Sequence, residues 1–328
     1  MTSSTRSWLK KLIPGVLLGF LVLLVLMLVG DLRQVGELIQ HFDWRYFAAA
    51  LGFTLFNYTL RFFKWHFYLH LSGVTNLSIP ASARLFVAGF PLAVTPGKVG
   101  EALKGVWLNQ RTGLPVARGI SVVVAERLSD GLAVMLLSTL GVIAFPRYWL
   151  AFAIVLVGLL SVIVISQVRP AALWLLDLSA RISLLKRISA GLREFYEGSF
   201  ALFRPLALLL GVGLGMLSWL GEGIGFYLIL LGLGLPPSFS LASAAVFVLA
   251  FSTIIGAVSA LPGGLGAAEA SIAGMLVLTA GLTAPQASAA ALLIRLATLW
   301  FGVTLGLLVW AFSPDLFAIQ ERTTDVES

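Results

Sequence analysis

Two similar segments interrupt long hydrophobic runs in opposite halves of this chain. Residues 96–101 read PGKVGE, and residues 262–269 read PGGLGAAE. The glutamates of the two segments are separated by the same number of residues as Arg127 and Arg295. Their prolines are separated by two residues fewer, because the second segment contains two additional alanines. We interpret the two halves as copies of one another, each with a break in a hydrophobic segment at the matching place. Paired breaks of this kind are typical of membrane transporters and indicate where a substrate site lies.

Composition excludes a soluble globular protein. Hydrophobic residues make up 59% of the chain and charged residues only 11%, whereas about 25% is usual for charged residues in soluble domains. The chain has no cysteine, so disulfides and thiolate metal sites are excluded, and we predict no cofactor. The formal charge of +7 comes from basic residues that are scattered between hydrophobic runs. This distribution favours a membrane surface over nucleic acid as their partner.

The order of the hydrophobic runs predicts an all-α polytopic membrane protein. We expect about six full transmembrane helices and two re-entrant segments broken at Pro-Gly, together forming an inverted repeat. The full spans are predicted at residues 12–29, 44–71, 120–145, 148–168, 205–231 and 287–312, and the broken segments at residues 84–109 and 241–280. No small-residue cleavage site follows the first run, so we interpret it as a helix and not as a signal peptide.

A single membrane domain is expected over residues 12–312, between an N-terminal tail at residues 1–11 and a polar C-terminal tail at residues 313–328. Its parts are a first repeat at residues 44–145, an interfacial amphipathic helix at residues 169–204, and a second repeat at residues 205–312. Six crossings place most lysines and arginines on one side, and the positive-inside rule assigns that side, with both termini, to the cytoplasm. Reading each broken segment as two full crossings gives the same parity, so the sequence leaves that choice open.

Ionisable side chains within the predicted spans are few, and each is costly. Translocon-based scales assign about 2.5 to 3.5 kcal/mol to an Arg, Lys or Asp at a helix centre, so such residues normally face a cavity or a partner. We predict that a substrate pathway is lined by Arg61, Lys64, Glu101, Lys104, Glu126, Arg127, Asp130, Glu222, Glu269 and Arg295. The half-helix breaks are expected at Pro96, Gly97, Gly100, Pro262, Gly263 and Gly266.

The same charges also have a purely structural interpretation. Arg127 with Asp130, and Glu101 with Lys104, are spaced so that they can form ion pairs along one helix and hold helices in register. Arg295 has no carboxylate within four residues, so its counter-charge must come from another part of the chain. The repetition of the whole set favours a pathway role for the set, while for any single residue both interpretations stay open.

Metal binding and catalysis find little support in the sequence. His66 and His70 are four residues apart, as metal ligands on a helix are, but no third ligand accompanies them and an interfacial aromatic cluster explains them better. The chain contains no Gly-x-Ser-x-Gly elbow, no His-Glu-x-x-His pair and no Walker-type loop. We therefore predict that it is not an enzyme and holds no metal. The glycines of residues 211–225 suit close helix packing as well as a hinge, and this choice stays open.

Several pieces of the sequence together resemble one known family. They are residues 61–65 (RFFKW), 96–101 (PGKVGE), 126–130 (ERLSD) and 261–266 (LPGGLG), with Glu269 and Arg295. Through them, residues 12–312 resemble the flippase-like membrane domain of the lysylphosphatidylglycerol synthase family. The resemblance implies a polytopic domain of the bacterial inner membrane with re-entrant helices, which moves phospholipids, typically aminoacylated phosphatidylglycerol, between leaflets. We expect a stand-alone member that lacks the soluble aminoacyl-transferase domain.

These observations lead to two hypotheses about function. The first is a lipid flippase-like transporter of the plasma membrane, in which Arg127 and Arg295 alternately hold a lipid phosphate and the half-helix starts direct free amide groups at the same anion. Glu101, Glu222 and Glu269 then balance these charges or bind an amine of the headgroup. The second is a non-transporting membrane subunit that supports a glycosyltransferase or another lipid-modifying enzyme. Membrane lipids are the expected partners, and the sequence predicts no oligomeric state.

A topology assay tests the predicted orientation. Reporters fused after Val168 and after Phe312 should both report the cytoplasm, because the basic residues cluster on that side. A reporter in the uncharged loop at residues 232–240 is the control and should report the opposite side. Readings from opposite sides after Val168 and Phe312 would contradict both the six-crossing topology and the inverted repeat.

Overall fold

The computed structural model describes residues 13–144 except positions 16, 20, 23 and 29, residues 149–170, 172–174 and 177, and residues 189–316. All regular elements in this part of the chain are helices. The first are α1 (Ile13–Leu28), α2 (Leu32–Gln40), α3 (Trp44–Leu71), α4 (Ile79–Ala88), α5 (Leu103–Thr112) and α6 (Val116–Ala144). They are followed by α7 (Trp149–Gln167), α8 (Ser189–Leu202), α9 (Pro205–Gly232), α10 (Phe239–Val258), α11 (Ala267–Ala280) and α12 (Ala284–Ala311). The predicted all-α polytopic membrane fold is confirmed.

The apolar helices account for part of the predicted span count. Among the described residues, four segments are long and apolar enough to cross a membrane: α9, α10, Pro262–Ala280 and α12. Helices α1 and α2 meet the same criteria only as a pair, which is bent by 96°. Helices α3 and α6 have 28 and 29 residues but carry the charged residues of the predicted pathway. The exact number of crossings, the re-entrant breaks and the inversion of the halves stay predictions.

Polar caps set where the long helices begin. The predicted span at residues 44–71 coincides with α3, because the Asp43 side chain accepts a hydrogen bond from the backbone nitrogen of Arg45 at 3.0 Å. Helix α12 begins three residues earlier than the predicted 287, because Thr283 and Gln286 cap each other's backbone nitrogens. The sequence prediction missed this turn because it followed hydrophobicity and ignored the polar cap.

Helices α3 and α9 form the most extensive helix contact of the fold. Glycines of α9 allow this approach: a Cβ atom on Gly225 would lie 3.5 Å from the Cα atom of Ala50, and one on Gly221 would lie 2.8 Å from the ring of Phe56. Small residues at a helix contact let two backbones pack closely within a membrane. The structure therefore favours close packing over a hinge for these glycines.

Two apolar clusters include residues from opposite ends of this helix pair. The first is built around Trp65, Phe86 and Trp107, and the second around Phe226 and Leu292. Helix α6 packs against α5, α8, α9 and α10. This central position means that the charged residues of α6 face the middle of the bundle.

The two Pro-Gly breaks contact each other. The first is a 3₁₀ helix at Pro96–Ala102, between α4 and α5, and the second is a 3₁₀ turn at Pro262–Gly264, between α10 and α11. Gly263 and Gly264 have φ values of 61° and 67°, a region that an L side chain rarely adopts. The segments that the sequence singled out as breaks therefore interrupt the helices and meet at one place in the fold.

Local structure repeats with the same spacing as the sequence. Helices α5 and α11 end at Gly113 and Gly281, both with left-handed φ values of 76° and 65°. The next helices begin at Val116 and Ala284, which are separated by the same step along the chain as the two glycines. The two halves thus share a helix–turn–helix unit after each break, while their relative orientation stays a prediction.

Two predicted segments near the surface are described in part. Residues 178–188 of the expected amphipathic helix lie outside the described residues, and the described helix α8 buries one side, including Tyr196, against α6. Residues 313–316, which we predicted as the start of a free polar tail, pack against the bundle with Ser313 and Leu316 buried. The remaining tail at residues 317–328 lies outside the described residues.

One carboxylate helps to hold residues 313–316 against the bundle. Asp315 accepts hydrogen bonds from Arg84 of α4 and Arg111 of α5. Partial burial alone would raise the pKa of Asp315, but the hydrogen bonds and charges of Arg111 and Arg84 outweigh it and hold the pKa below its usual value. This contact connects the two helices on either side of the first break.

Asp315→Asn should destabilise the protein by about 0.2–1 kcal/mol at neutral pH, the range of exposed ion pairs. Because the folded-state pKa of Asp315 is lowered, the contact stabilises fully above the unfolded-state pKa of about 3.9 and is lost as pH falls through the folded-state value. Thermal unfolding in detergent over a pH series measures this, and the difference between the two proteins should vanish at pH values low enough to protonate Asp315 in the folded state. Identical unfolding of wild type and Asp315→Asn at neutral pH would contradict a stabilising contact.

Candidate functional site

Four ionisable residues connect α3 with α6 in the middle of the bundle. Arg61 Nη2 donates a hydrogen bond to Glu126 Oε1 at 3.1 Å, and Arg61 Nε lies 3.4 Å from Asp130 Oδ2. Lys64 Nζ donates to the other oxygen of Asp130. The two basic residues are one turn apart on α3, and the two acidic residues are one turn apart on α6, so each pair lies on one helix face. Together they fix the register of the two helices.

Lys104 of α5 adds a third cation to this group. Its Nζ atom lies 3.5 Å from Glu126 Oε2 and sits over the rings of Trp65 and Phe86, at 4.8 and 5.2 Å from their centroids. Both aromatic faces stabilise the ammonium group where water is excluded. Gly89 leaves room for the lysine stem, because a Cβ atom there would lie 2.1 Å from Lys104 Cε.

One type of ion pair occurs in both halves. Arg127 Nε donates to Glu101 Oε2 at 2.8 Å, and Arg295 Nε donates to Glu269 Oε1 at 2.5 Å. In each case a glutamate just after the break meets the arginine 26 residues further along the chain. The distant counter-charge that the sequence required for Arg295 is therefore Glu269.

The two ion pairs that spacing allowed along one helix are not formed among the described residues. Asp130 pairs with the basic side chains of α3 and not with Arg127, and Lys104 pairs with α6 and not with Glu101. Spacing along the chain identifies residues that share one face of a helix. Side chains on a face that packs against another helix extend towards that helix, where they find their partners. In a tight bundle the partner across the helix contact is therefore nearer than the partner along the chain.

The two arginines differ in how fully they are engaged. Arg295 also donates from Nη2 to the carbonyl oxygen of Gly263 at 2.9 Å, and its side chain is 14% exposed. The side chain of Arg127 is 32% exposed. Within the described residues its hydrogen bond runs from Nε to Glu101, and Nη2 lies 3.9 Å from the nearest oxygen of Glu126. Arg127 therefore keeps its outer nitrogens available, whereas Arg295 holds the second break.

Two of the backbone amide groups at the breaks already have side-chain partners. We expected the half-helix starts to present free amides to an anion. Instead, the backbone nitrogen of Gly266 donates to Glu269 Oε2 at 2.7 Å, and that of Gly100 donates to the hydroxyl of Thr95 at 2.9 Å. Side chains, and not these amides, are the donors that a ligand can reach.

A cavity of about 720 Å³ connects these groups. The charged residues that line it are Arg61, Glu101, Lys104, Glu126, Arg127, Asp130, Glu222 and Arg295. Lys64 and Glu269 lie behind it as partners of Asp130 and Arg295. Val99, Val258 and Leu261 line the cavity and are exposed, so its mouth is apolar and lies beside the two breaks. The volume is in the range of about 300–1,000 Å³ that small-ligand sites occupy.

Two polar residues that the sequence analysis missed belong to this site. Asn57 Nδ2 donates to Glu222 Oε2 at 3.4 Å, and Tyr58 OH donates to the carbonyl oxygen of Thr298 at 2.8 Å. Thr298 lies in the π-helical turn of α12 that directly follows Arg295, a distortion often found at functional sites. A signal for Asn57 was present, because it lies four residues before Arg61 and so shares its helix face.

The histidine pair lies outside the cavity. The His66 ring stacks on Phe62 with centroids 5.8 Å apart and meets His70 edge-on at 4.7 Å. Among the described residues, no group of three His, Asp or Glu side chains is arranged to hold a metal ion. The geometry is that of an aromatic cluster.

The protein is an integral membrane domain, because several of its helices are long and apolar enough to cross a membrane. It contains an internal polar site, the charged cavity beside the two broken segments. Residues 16–306 match the family of lysylphosphatidylglycerol synthase transmembrane regions, and the chain belongs to that family. The resemblance inferred from the motifs is confirmed. A UPF0104 membrane protein of Methanothermobacter thermautotrophicus is 26% identical over 280 residues, which cover 80% of this chain and 81% of that protein. Family membership implies a role related to membrane lipids.

Arg295→Ala should destabilise the fold more than Arg127→Ala. It leaves Glu269, which is 1% exposed, without its cation and removes the bond to the Gly263 carbonyl. Breaking a buried ion pair on one side typically costs about 3–5 kcal/mol, and the more exposed setting of Arg127 reduces that cost. Chemical unfolding of the detergent-solubilised variants measures the difference.

The double variant Arg295→Met with Glu269→Met is the matched control. It removes both charges together, and well-packed apolar replacements of buried ion pairs are often neutral, so most of the lost stability should return. An Arg295→Ala protein as stable as wild type would show that Arg295 does not support the second break.

Proposed function

We propose that this protein is a lipid flippase-like transporter that moves an anionic phospholipid between the leaflets of the plasma membrane. The observation that carries the proposal is the partly exposed guanidinium of Arg127 in a charged cavity whose mouth is apolar. A lipid has the matching chemistry, with a charged headgroup and apolar chains. Membership of a lipid-related membrane family supports the same assignment.

Arg127 is the proposed contact for the lipid phosphate. A guanidinium presents a planar fork of donors that matches two phosphate oxygens, and its Nη atoms are not used by hydrogen bonds to described residues. Glu101 holds the opposite edge through Nε and so orients the fork towards the cavity. Low local polarity strengthens such a charge-assisted contact.

Arg295 is proposed to support the second break and not to bind lipid in turn with Arg127. Its donors already hold Glu269 and the Gly263 carbonyl, and Glu269 in turn caps the start of α11. A hand-off between two equivalent arginines, which the repeat suggested, would require Arg295 to release these contacts. Because Arg295 already holds these contacts, we assign lipid binding to Arg127 and the support of the second break to Arg295.

The apolar mouth accounts for the rest of the lipid. With the headgroup beside Arg127, the acyl chains can remain among lipid tails next to Val99, Val258 and Leu261. The headgroup alone then leaves the membrane surface, which avoids the cost of moving a bare charge through hydrocarbon. In this proposal the protein is a transporter and not an enzyme, its partners are membrane lipids, and both termini face the cytoplasm of a bacterial cell.

Arg127→Lys should reduce lipid movement about tenfold or more, because an ammonium cannot reproduce the two-pronged phosphate contact and a charge-assisted hydrogen bond contributes about 1.5–3 kcal/mol. Arg295→Lys should lower the unfolding temperature more than it lowers the rate per folded molecule. The measurement is transbilayer movement of a fluorescent phosphatidylglycerol in proteoliposomes at matched amounts of folded protein.

Leu136→Ala is the matched control, since this side chain is exposed on the apolar face of α6 away from the charged groups. Equal loss of movement in Arg127→Lys and Arg295→Lys would restore the hand-off mechanism. Normal movement in Arg127→Lys would overturn the binding role, and normal movement in both variants would favour a non-transporting subunit that supports a lipid-modifying enzyme.

A further inference from the structure

Glu222 of α9 is a buried acid without a cationic partner. It is 6% exposed, lines the cavity, and accepts its hydrogen bond from the neutral amide of Asn57 at 3.4 Å. The other nine ionisable residues of the predicted pathway all lie in ion pairs. Among the described residues, no basic nitrogen lies within 4.0 Å of the Glu222 carboxylate. An unpaired acid inside a membrane bundle normally has a functional role.

The groups around Glu222 do not neutralise it. From the helices packed against α9, those that face it are Tyr58 and Arg61 of α3, Asp130 of α6 and Arg295 of α12. Helix α10 contributes no ionisable residue, and the charged residues of α8 form ion pairs on the surface. Arg61 is already bonded to Glu126 and Arg295 to Glu269. Neither cation is free to move to Glu222.

The charge of the whole site depends on this one proton. The ten residues comprise five acids and five bases, so the site is neutral when Glu222 is ionised and carries one positive charge when Glu222 is protonated. An anion that enters a neutral site of low polarity meets no surplus cation, and an uncompensated buried charge is very costly. A protonated Glu222 removes this obstacle.

We propose that Glu222 is a proton-binding site coupled to the binding of an anionic phosphate at Arg127, so that one proton and one anion enter the cavity together. This inference rests on the proposed lipid-binding function of the same cavity. Coupling is reciprocal: protonation strengthens anion binding, and a bound anion strengthens proton binding. Release of both on the other side of the membrane makes a pH gradient a source of energy for lipid movement.

Binding of phosphatidylglycerol to the purified protein, measured over a series of pH values, tests the coupling. Wild-type affinity should be highest at acidic pH and should fall by up to about tenfold for each pH unit above the titration of Glu222. Glu222→Gln mimics the protonated acid and should bind with little dependence on pH. Glu37→Gln, at an exposed carboxylate of α2, is the matched control and should behave like wild type.

Calorimetry in buffers of different ionisation enthalpy counts the protons directly. Over the pH range in which wild-type affinity falls, about one proton should be taken up per lipid bound by wild type, and none by Glu222→Gln. Inorganic phosphate serves as a second probe: competition with the lipid shows that the phosphate group itself is recognised, and the absence of competition assigns the site to the intact headgroup. Both outcomes support coupling as long as protons are taken up.

Three results would overturn the proposal, and they separate it from the function on which it rests. Phosphatidylglycerol binding without pH dependence or proton uptake would remove the coupling and leave the lipid site intact. No binding at any pH would remove the proposed function as well. Tighter binding of phosphatidylethanolamine at alkaline pH, lost in Glu222→Gln, would identify Glu222 as an amine site and contradict the proton role.

Discussion

Four acidic side chains inside the bundle determine how the helices around them are arranged. A carboxylate in a medium of low polarity needs a cation or several hydrogen-bond donors, so each one fixes the position of the helix that supplies them. Glu126 and Asp130 meet α3 and α5, Glu101 meets α6, and Glu269 meets α12. Apolar packing alone holds helices together in lipid without specifying their register, because lipid tails are as apolar as leucine. Ion pairing supplies that register here.

The two halves share one ion pair and differ in the rest. The glutamate after the break and the arginine 26 residues later occur in both. When the halves are aligned on this pair, Lys104, Glu126 and Asp130 correspond to Ile272, Ile294 and Thr298. The shared pair therefore holds each break, and the additional charges of the first half form the polar wall of the cavity. In the proposed function, this difference gives the site one binding side, at Arg127, and one supporting side, at Arg295.

Much of this arrangement follows from the sequence, for identifiable reasons. The breaks and the ten ionisable residues stand out because charges and Pro-Gly steps are rare within hydrophobic runs. The pairing of those residues did not follow, since spacing along one helix placed Asp130 beside Arg127 while packing placed it beside Arg61 and Lys64. The caps at Thr283 and the packed residues after Phe312 were missed because both are polar features at the ends of apolar segments. Partners across helices depend on rotation and tilt, which one sequence does not contain.

The same pairing that stabilises the bundle limits what can enter it. Every cation that lines the cavity already faces a carboxylate, so a ligand cannot bind by finding an unused charge. An anion either displaces a carboxylate, which leaves that acid stranded, or requires that an acid be neutralised first. If an anion displaced Glu101 or Glu269 from its arginine, the ion pair that holds that break would be lost. Neutralising Glu222 costs no ion pair, because this acid forms none with the described residues. The one unpaired acid is therefore the place where the charge of the site can change while the helices stay in register.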